Sequence, residues 1–116
     1  MLNNDLRHFI INEIGCICCA KFGVIGQPCE RHHMLTTGYH GNGKRRGEKQ
    51  SVGLCSYHHQ GAKSVGSDRA RQLRRTVGPS FADEAREFRA VFGRDGELLA
   101  LQDELIEKWR SGTFGA

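Results

Sequence analysis

The segment LCSYHHQ, residues 54–60, decides how this chain reads: it sets Cys55 and His58 three apart as a C-x-x-H pair and leaves a second imidazole, His59, directly behind. Working outward, CICC at residues 16–19 supplies a C-x-x-C pair, Cys16 and Cys19. Two short-spaced pairs bring four sulfur and nitrogen donors together from two turns of chain, a ligand set that suits tetrahedral zinc. Four protein ligands leave no position for water, so a site of this kind is structural. The five cysteines are an odd number, three of them within residues 16–19. That pattern suits a thiolate metal site better than a disulfide framework. Cys18 is then the ambiguous neighbour of Cys19, and Cys29 is a buried thiol or a replacement ligand.

Four of the six histidines form two adjacent pairs, His32-His33 and His58-His59. If His58 closes the zinc site, His59 is left to face what the first pair presents from a strand, which creates a second metal site with open positions. Phosphodiester hydrolysis needs such a site: a divalent cation neutralises the scissile phosphate while a neutral imidazole deprotonates water. Histidine titrates near neutrality and can take that proton.

Charge agrees with a polyanionic partner. From Arg31 to Arg75 there are ten Lys or Arg and two acidic residues (Glu48, Asp68), a local excess of +8 within a chain of net charge +4. Residues 76–116 carry five basic and eight acidic side chains. The middle of the chain is therefore where a polyanion would sit. At the N-terminus, Asn, Asp, Arg and Glu interrupt the apolar residues, so neither a signal peptide nor a membrane span is expected, and the expected location is cytoplasmic.

At 116 residues the chain is expected to be one domain: a zinc-bearing core at 15–63, a basic segment at 64–76 and C-terminal helices at 80–110. Residues 4–14 place Leu6, Phe9, Ile10 and Ile14 at helical spacing after an Asn4 or Asp5 cap. A second helix is expected from Ser80 with Phe81, Ala85, Phe88 and Phe92 as its stripe. A third starts at Asp95 with Leu98, Leu101, Leu105 and Trp109 inward. Such stripes read as packing, and no catalytic role is expected of these helices. The GYHGNGK segment at 38–44 imitates part of a phosphate-binding loop. Arg45 stands where Ser or Thr is required, so that reading is set aside, and His40 reads as surface.

Taken together, the CICC segment, Arg31-His32-His33 and Leu54-Cys55 through His58-His59 resemble the zinc-bearing HNH endonucleases over residues 15–63. Gly78-Pro79-Ser80-Phe81 and the segment Phe88 to Gly93 extend the resemblance to the phage recombination-enhancement (Ref) nucleases, over roughly residues 15–106. The resemblance implies an α+β fold with a small ββα-metal (HNH, His-Me finger) core and zinc knuckles, flanked by an N-terminal helix and C-terminal helices. It implies structural Zn²⁺ on Cys16, Cys19, Cys55 and His58, and a catalytic Mg²⁺ or Mn²⁺ on His32 and His59, with His33 as general base. The family's orienting Asn falls near Gln50, with Asn42 the other candidate. DNA contacts fall to Lys44, Arg45, Arg46, Arg69, Arg71, Arg74 and Arg75. The implied activity is metal-dependent DNA cleavage with a RecA filament as partner. The alternative is a non-catalytic, zinc-stabilised nucleic-acid-binding module, which would have the same zinc site and no need of a second cation. A scaffold protein without nucleic-acid affinity is the third reading, and the basic middle segment argues against it.

Overall fold

The computed structural model describes residues 3–33 and 51–114. Gln50, Asn42, His40, Lys44, Arg45 and Arg46 lie outside the described residues. The elements run α1 (Asn4–Ile14), α2 (Ile17–Lys21), β1 (Glu30–His33), β2 (Ser51–Leu54), α3 (Ser56–Gln60), α4 (Ala62–Val65), α5 (Ser67–Val77), α6 (Ala85–Phe92) and α7 (Asp95–Arg110). This is a small α+β arrangement of one two-stranded antiparallel sheet and surrounding helices. Among the described residues, no helix is long and apolar enough to cross a membrane.

The N-terminal helix forms where expected, with its details shifted. Asn3 is the cap, its side chain accepting from the Leu6 N–H at 2.8 Å, one residue before the expected one. The buried stripe is Arg7, Ile10, Ile11 and Ile14, while Leu6 and Phe9 are 42% and 52% exposed. The rotation follows from a long-range demand. Buried Arg7 donates to the Ser51 carbonyl at 2.8 Å and pairs with Asp103 at 2.9 Å, so α1 turns its Arg7 edge inward to meet β2 and α7. Gly53 lets α1 come this close, because a Cβ there would lie 2.8 Å from both Cys29 Sγ and Ile11 Cγ2.

Strand pairing sets Glu30 opposite Leu54, Arg31 opposite Gly53, His32 opposite Val52 and His33 opposite Ser51. Side chains alternate along a strand, so Glu30 and His32 share the face of Val52 and Leu54. Arg31 and His33 take the other. On the outer edge of β2, the Gly53 N–H donates to Gln102 Oε1 at 2.8 Å and the Ser51 carbonyl takes Arg7. Two helix side chains thus occupy an edge that could otherwise pair with another strand.

That contact also corrects the C-terminal helix. The buried line of α7 is Leu98, Gln102 and Ile106, with Leu101, Leu105 and Trp109 only partly buried, because the polar Gln102 is drawn inward to serve β2. The preceding helix starts later than expected. Ser80 Oγ accepts from the Asp83 N–H at 3.1 Å in a turn, and α6 then carries buried Phe88 and Phe92. The basic segment folds as α5, whose only buried residue is Val77. The main core gathers Cys16 to Cys19, Val52, Leu54, Tyr57, Phe88, Phe92 and Leu98. A smaller one joins α1 to α7 through Ile10, Ile11, Ile14 and Ile106.

Candidate functional site: a buried Cys₃His cluster beside an open imidazole pair

Cys16 and Cys55 occupy equivalent places, each capping the N-terminus of a five-residue helix. The Cys19 N–H donates to Cys16 Sγ and the His58 N–H to Cys55 Sγ, both at 3.4 Å. The three-residue spacing of each pair is what lets the capping sulfur meet that N–H while the third residue turns its own donor to the same point. The two turns face each other, and the donor atoms of Cys16, Cys19, Cys55 and His58 all lie within 4.8 Å of one another. All four residues are buried.

The separations fit a metal. Bonds of about 2.3 Å to sulfur and 2.0 Å to nitrogen around a tetrahedral ion give edges of about 3.8 Å (S···S) and 3.5 Å (S···N). Here Cys19 Sγ and Cys55 Sγ are 3.7 Å apart, and His58 Nδ1 lies 3.4, 3.5 and 3.3 Å from the sulfurs of Cys16, Cys19 and Cys55. His58 Nε2 is 2.8 Å from the Val77 carbonyl and donates to it, which turns Nδ1 toward the three sulfurs, where a bound metal ion would take the place of its proton. This buried Cys₃His group could hold a structural metal ion such as zinc.

The electrostatics divide the cluster: the Cys19 thiol is pushed up, first by its hydrogen bonds with Cys16 and Cys55 and then by burial, so the negative charge gathers on Cys16. Burial pushes the Cys16 thiol up, but hydrogen bonds from Cys18, Cys19, Cys55 and His58 outweigh it and hold the group far below the ordinary thiol range. Burial likewise opposes charge on His58, yet Cys16 and Cys55 raise its pKa to about 10. The pocket draws a positive charge to itself. Cys18 is buried with its pKa raised, first by burial and then by Cys16, and stands outside the four-donor group. Cys29 also stands apart, its sulfur 3.7 Å from the Ile11 carbonyl and 3.6 Å from Arg31 Nη1.

His59 follows His58 on α3 but points to a different place. Its ring meets that of His32, centroid to centroid at 5.4 Å. His59 Nδ1 lies 2.6 Å from Glu30 Oε1, and Gln60 Nε2 donates to the same oxygen at 2.5 Å. Phe81 backs His32 at 5.0 Å, and Asp95 Oδ1 is 3.9 Å from His32 Nε2. Burial lowers the His32 pKa, opposed by Asp95 and helped by His59 and His33, which favours the neutral ring. The side chains of His32, His59, Glu30 and Asp95 are 12%, 28%, 38% and 45% exposed. This second cluster opens to solvent where the first is closed.

The end of α5 and the segment after it couple the two. Val77 takes His58, the Gly78 carbonyl accepts from the Tyr57 hydroxyl at 2.7 Å, and the Phe81 N–H donates to the His58 carbonyl at 2.8 Å. Phe81 then packs on Phe88 as well as on His32.

Sequence reasoning drew His32 and His59 together and missed Glu30 and Asp95. Glu30 carried a usable signal, since it stands two residues before His32 and would share its face in a strand. Asp95 carried none, being a first-turn acidic residue on a helix 63 positions away. His33 lies on the other face of β1, beside Arg31. The four arginines of α5 divide: Arg71, Arg74 and Arg75 line one hollow with Tyr57 and Glu84, of about 650 Å³, whereas Arg69 lies on the far side of α5 in a hollow that touches Cys19 and Cys55. Arg71 pairs with Asp68, and Arg74 with Glu84 at 2.7 Å.

From residue 4 to residue 107 the chain matches the family model described as "Recombination enhancement, RecA-dependent nuclease". No curated protein matches it.

Proposed function

The chain belongs to the recombination-enhancement, RecA-dependent nuclease family, and on that premise we propose that it is a metal-dependent DNA endonuclease of the HNH, ββα-metal kind. The observation that carries this reading is the meeting of His32 and His59, delivered by β1 and α3, beside a closed Cys₃His cluster. The order β1, β2, α3 supports a ββα reading. Cys16, Cys19, Cys55 and His58 hold zinc and thereby fix where α3 starts and where His59 points.

His32 and His59 are the ligands for a divalent cation. Mg²⁺ or Mn²⁺ bound there supplies charge neutralisation for the scissile phosphate and the leaving 3′ oxygen. His33 acts as general base and takes a proton from the attacking water. The alternation of β1 supports this division of labour: it directs His32 toward His59 and keeps the imidazole of His33 out of the ligand pair. Gln50 or Asn42 orients the base.

Arg69, Arg71, Arg74 and Arg75, with Lys44, Arg45 and Arg46, hold the phosphate backbone, which positions the enzyme without reading sequence. The protein acts in the cytoplasm with a RecA filament, in phage or prophage recombination, as one nuclease domain.

Plasmid nicking and linearisation with and without Mg²⁺ or Mn²⁺ and a RecA filament tests the proposal. Metal-dependent cutting is expected, reduced at least about 100-fold in His33→Ala, the scale of a lost general base. Full activity in that variant would remove His33 as the base. Salt-sensitive DNA binding without cutting under any condition would favour the non-catalytic zinc-stabilised module.

A further inference from the structure

Glu30 belongs to neither metal cluster by spacing, yet it is tied to both histidine-bearing elements. It shares a strand face with His32. Its partner in the sheet, Leu54, leads straight into Cys55 and α3, so the distance from Glu30 to His59 is fixed by strand register. Glu30 Oε1 lies 2.6 Å from His59 Nδ1, and Gln60 Nε2 holds the same oxygen at 2.5 Å. Two consecutive residues of α3 thus grip one carboxylate oxygen.

An ionised carboxylate can only accept, so when His59 serves as a metal ligand the ring proton sits on Nδ1 and the lone pair is on Nε2. A histidine that ligates a metal commonly has its other ring nitrogen held by a carboxylate in this way, which fixes the tautomer and raises the basicity of the ligating nitrogen.

Resting on the reading of His32 and His59 as cation ligands, we propose that Glu30 is a positioning residue that holds the His59 ring with its Nε2 lone pair toward the divalent cation. A simple ion pair joining β1 to α3 would show the same contact but would have no bearing on cation affinity. That difference is measurable.

The experiment uses the zinc-loaded full chain. Ring ¹⁵N NMR reads the His59 tautomer, and Mn²⁺ titration followed by the EPR signal of free Mn²⁺ compares wild type with Glu30→Gln, with His59→Ala marking which Mn²⁺ site is meant. The expected results are a wild-type His59 protonated on Nδ1 and a Mn²⁺ dissociation constant about 10–100-fold higher in Glu30→Gln, with zinc content and melting temperature held. A wild-type His59 protonated on Nε2, equal Mn²⁺ affinity in the two proteins, or no Mn²⁺ binding by wild type would each overturn the proposal. If Glu30→Gln fails to fold, the wild-type tautomer decides. Weakened Mn²⁺ binding in the variant, together with no DNA cleavage by wild type, would leave Glu30 in its role and remove the nuclease reading.

Discussion

His58 and His59 are neighbours on one short helix and live in opposite environments. His58 is fully buried, its Nδ1 at the centre of three sulfurs and its Nε2 bound to a backbone carbonyl. His59 is partly exposed, faces a second imidazole and is held by a carboxylate. The first cluster has four donors, all turned inward, and leaves no room for a reactant. The second has two imidazoles, carboxylates at its rim and an opening to solvent. The same residue type serves architecture in one place and is available for chemistry in the other. What separates them is the number of protein donors and the access of water.

The hardest test of this contrast is metal removal. Cys55→Ala, or a strong chelator, is expected to abolish the cooperative thermal transition seen by circular dichroism. Structural zinc in small modules contributes an apparent binding free energy of about 10–16 kcal/mol, and that energy is folding energy. A Cys55→Ala protein that melts like wild type would show that the Cys₃His group is not a structural centre.

Next in size is the exchange of fates between the two histidines. His58→Ala is expected to follow Cys55→Ala, with loss of bound zinc by metal analysis. His59→Ala is expected to keep its zinc and shift stability by no more than about 1 kcal/mol. Its Mn²⁺ affinity should fall by more than the roughly 10–100-fold typical of losing an outer partner. Equal damage to folding in both variants would erase the distinction between the two clusters.

The four donors of the buried Cys₃His group were legible because the geometry within each pair is local. A Cys that caps a short helix and a donor three residues later are brought together by a single turn, and only the meeting of the two turns needs the fold. The helical stripes were legible to within a residue or two for the same reason. What failed was the choice of inward face. Ile11 and Arg7 displaced Leu6 and Phe9 on α1, and Gln102 with Ile106 displaced Leu101 and Leu105 on α7 while Leu98 kept its place. In each case a polar side chain was recruited to a β2 backbone group 44 or 49 positions away.

The smallest effect concerns the basic helix, which the contrast places outside both clusters. Arg75→Ala is expected to leave zinc content and melting unchanged and to reduce the slope of log K against log salt for DNA by about 1. Arg71→Ala and Arg74→Ala should change it less, since those guanidiniums already pair with Asp68 and Glu84. An unchanged slope in Arg75→Ala would take that face of α5 out of the DNA contact.

By itself the sequence determined the two knuckles, the paired histidines, the basic middle and the family resemblance, because each is written in spacing or composition over a few residues. Tertiary structure alone decided that Glu30 would grip His59, that Asp95 from the last helix would stand 3.9 Å from His32, and that α5 would divide its arginines between two faces. Those outcomes depend on strand register and on helices packed from distant parts of the chain. Neither ligand spacing nor a charge run encodes those contacts, whose partners meet only when the core closes.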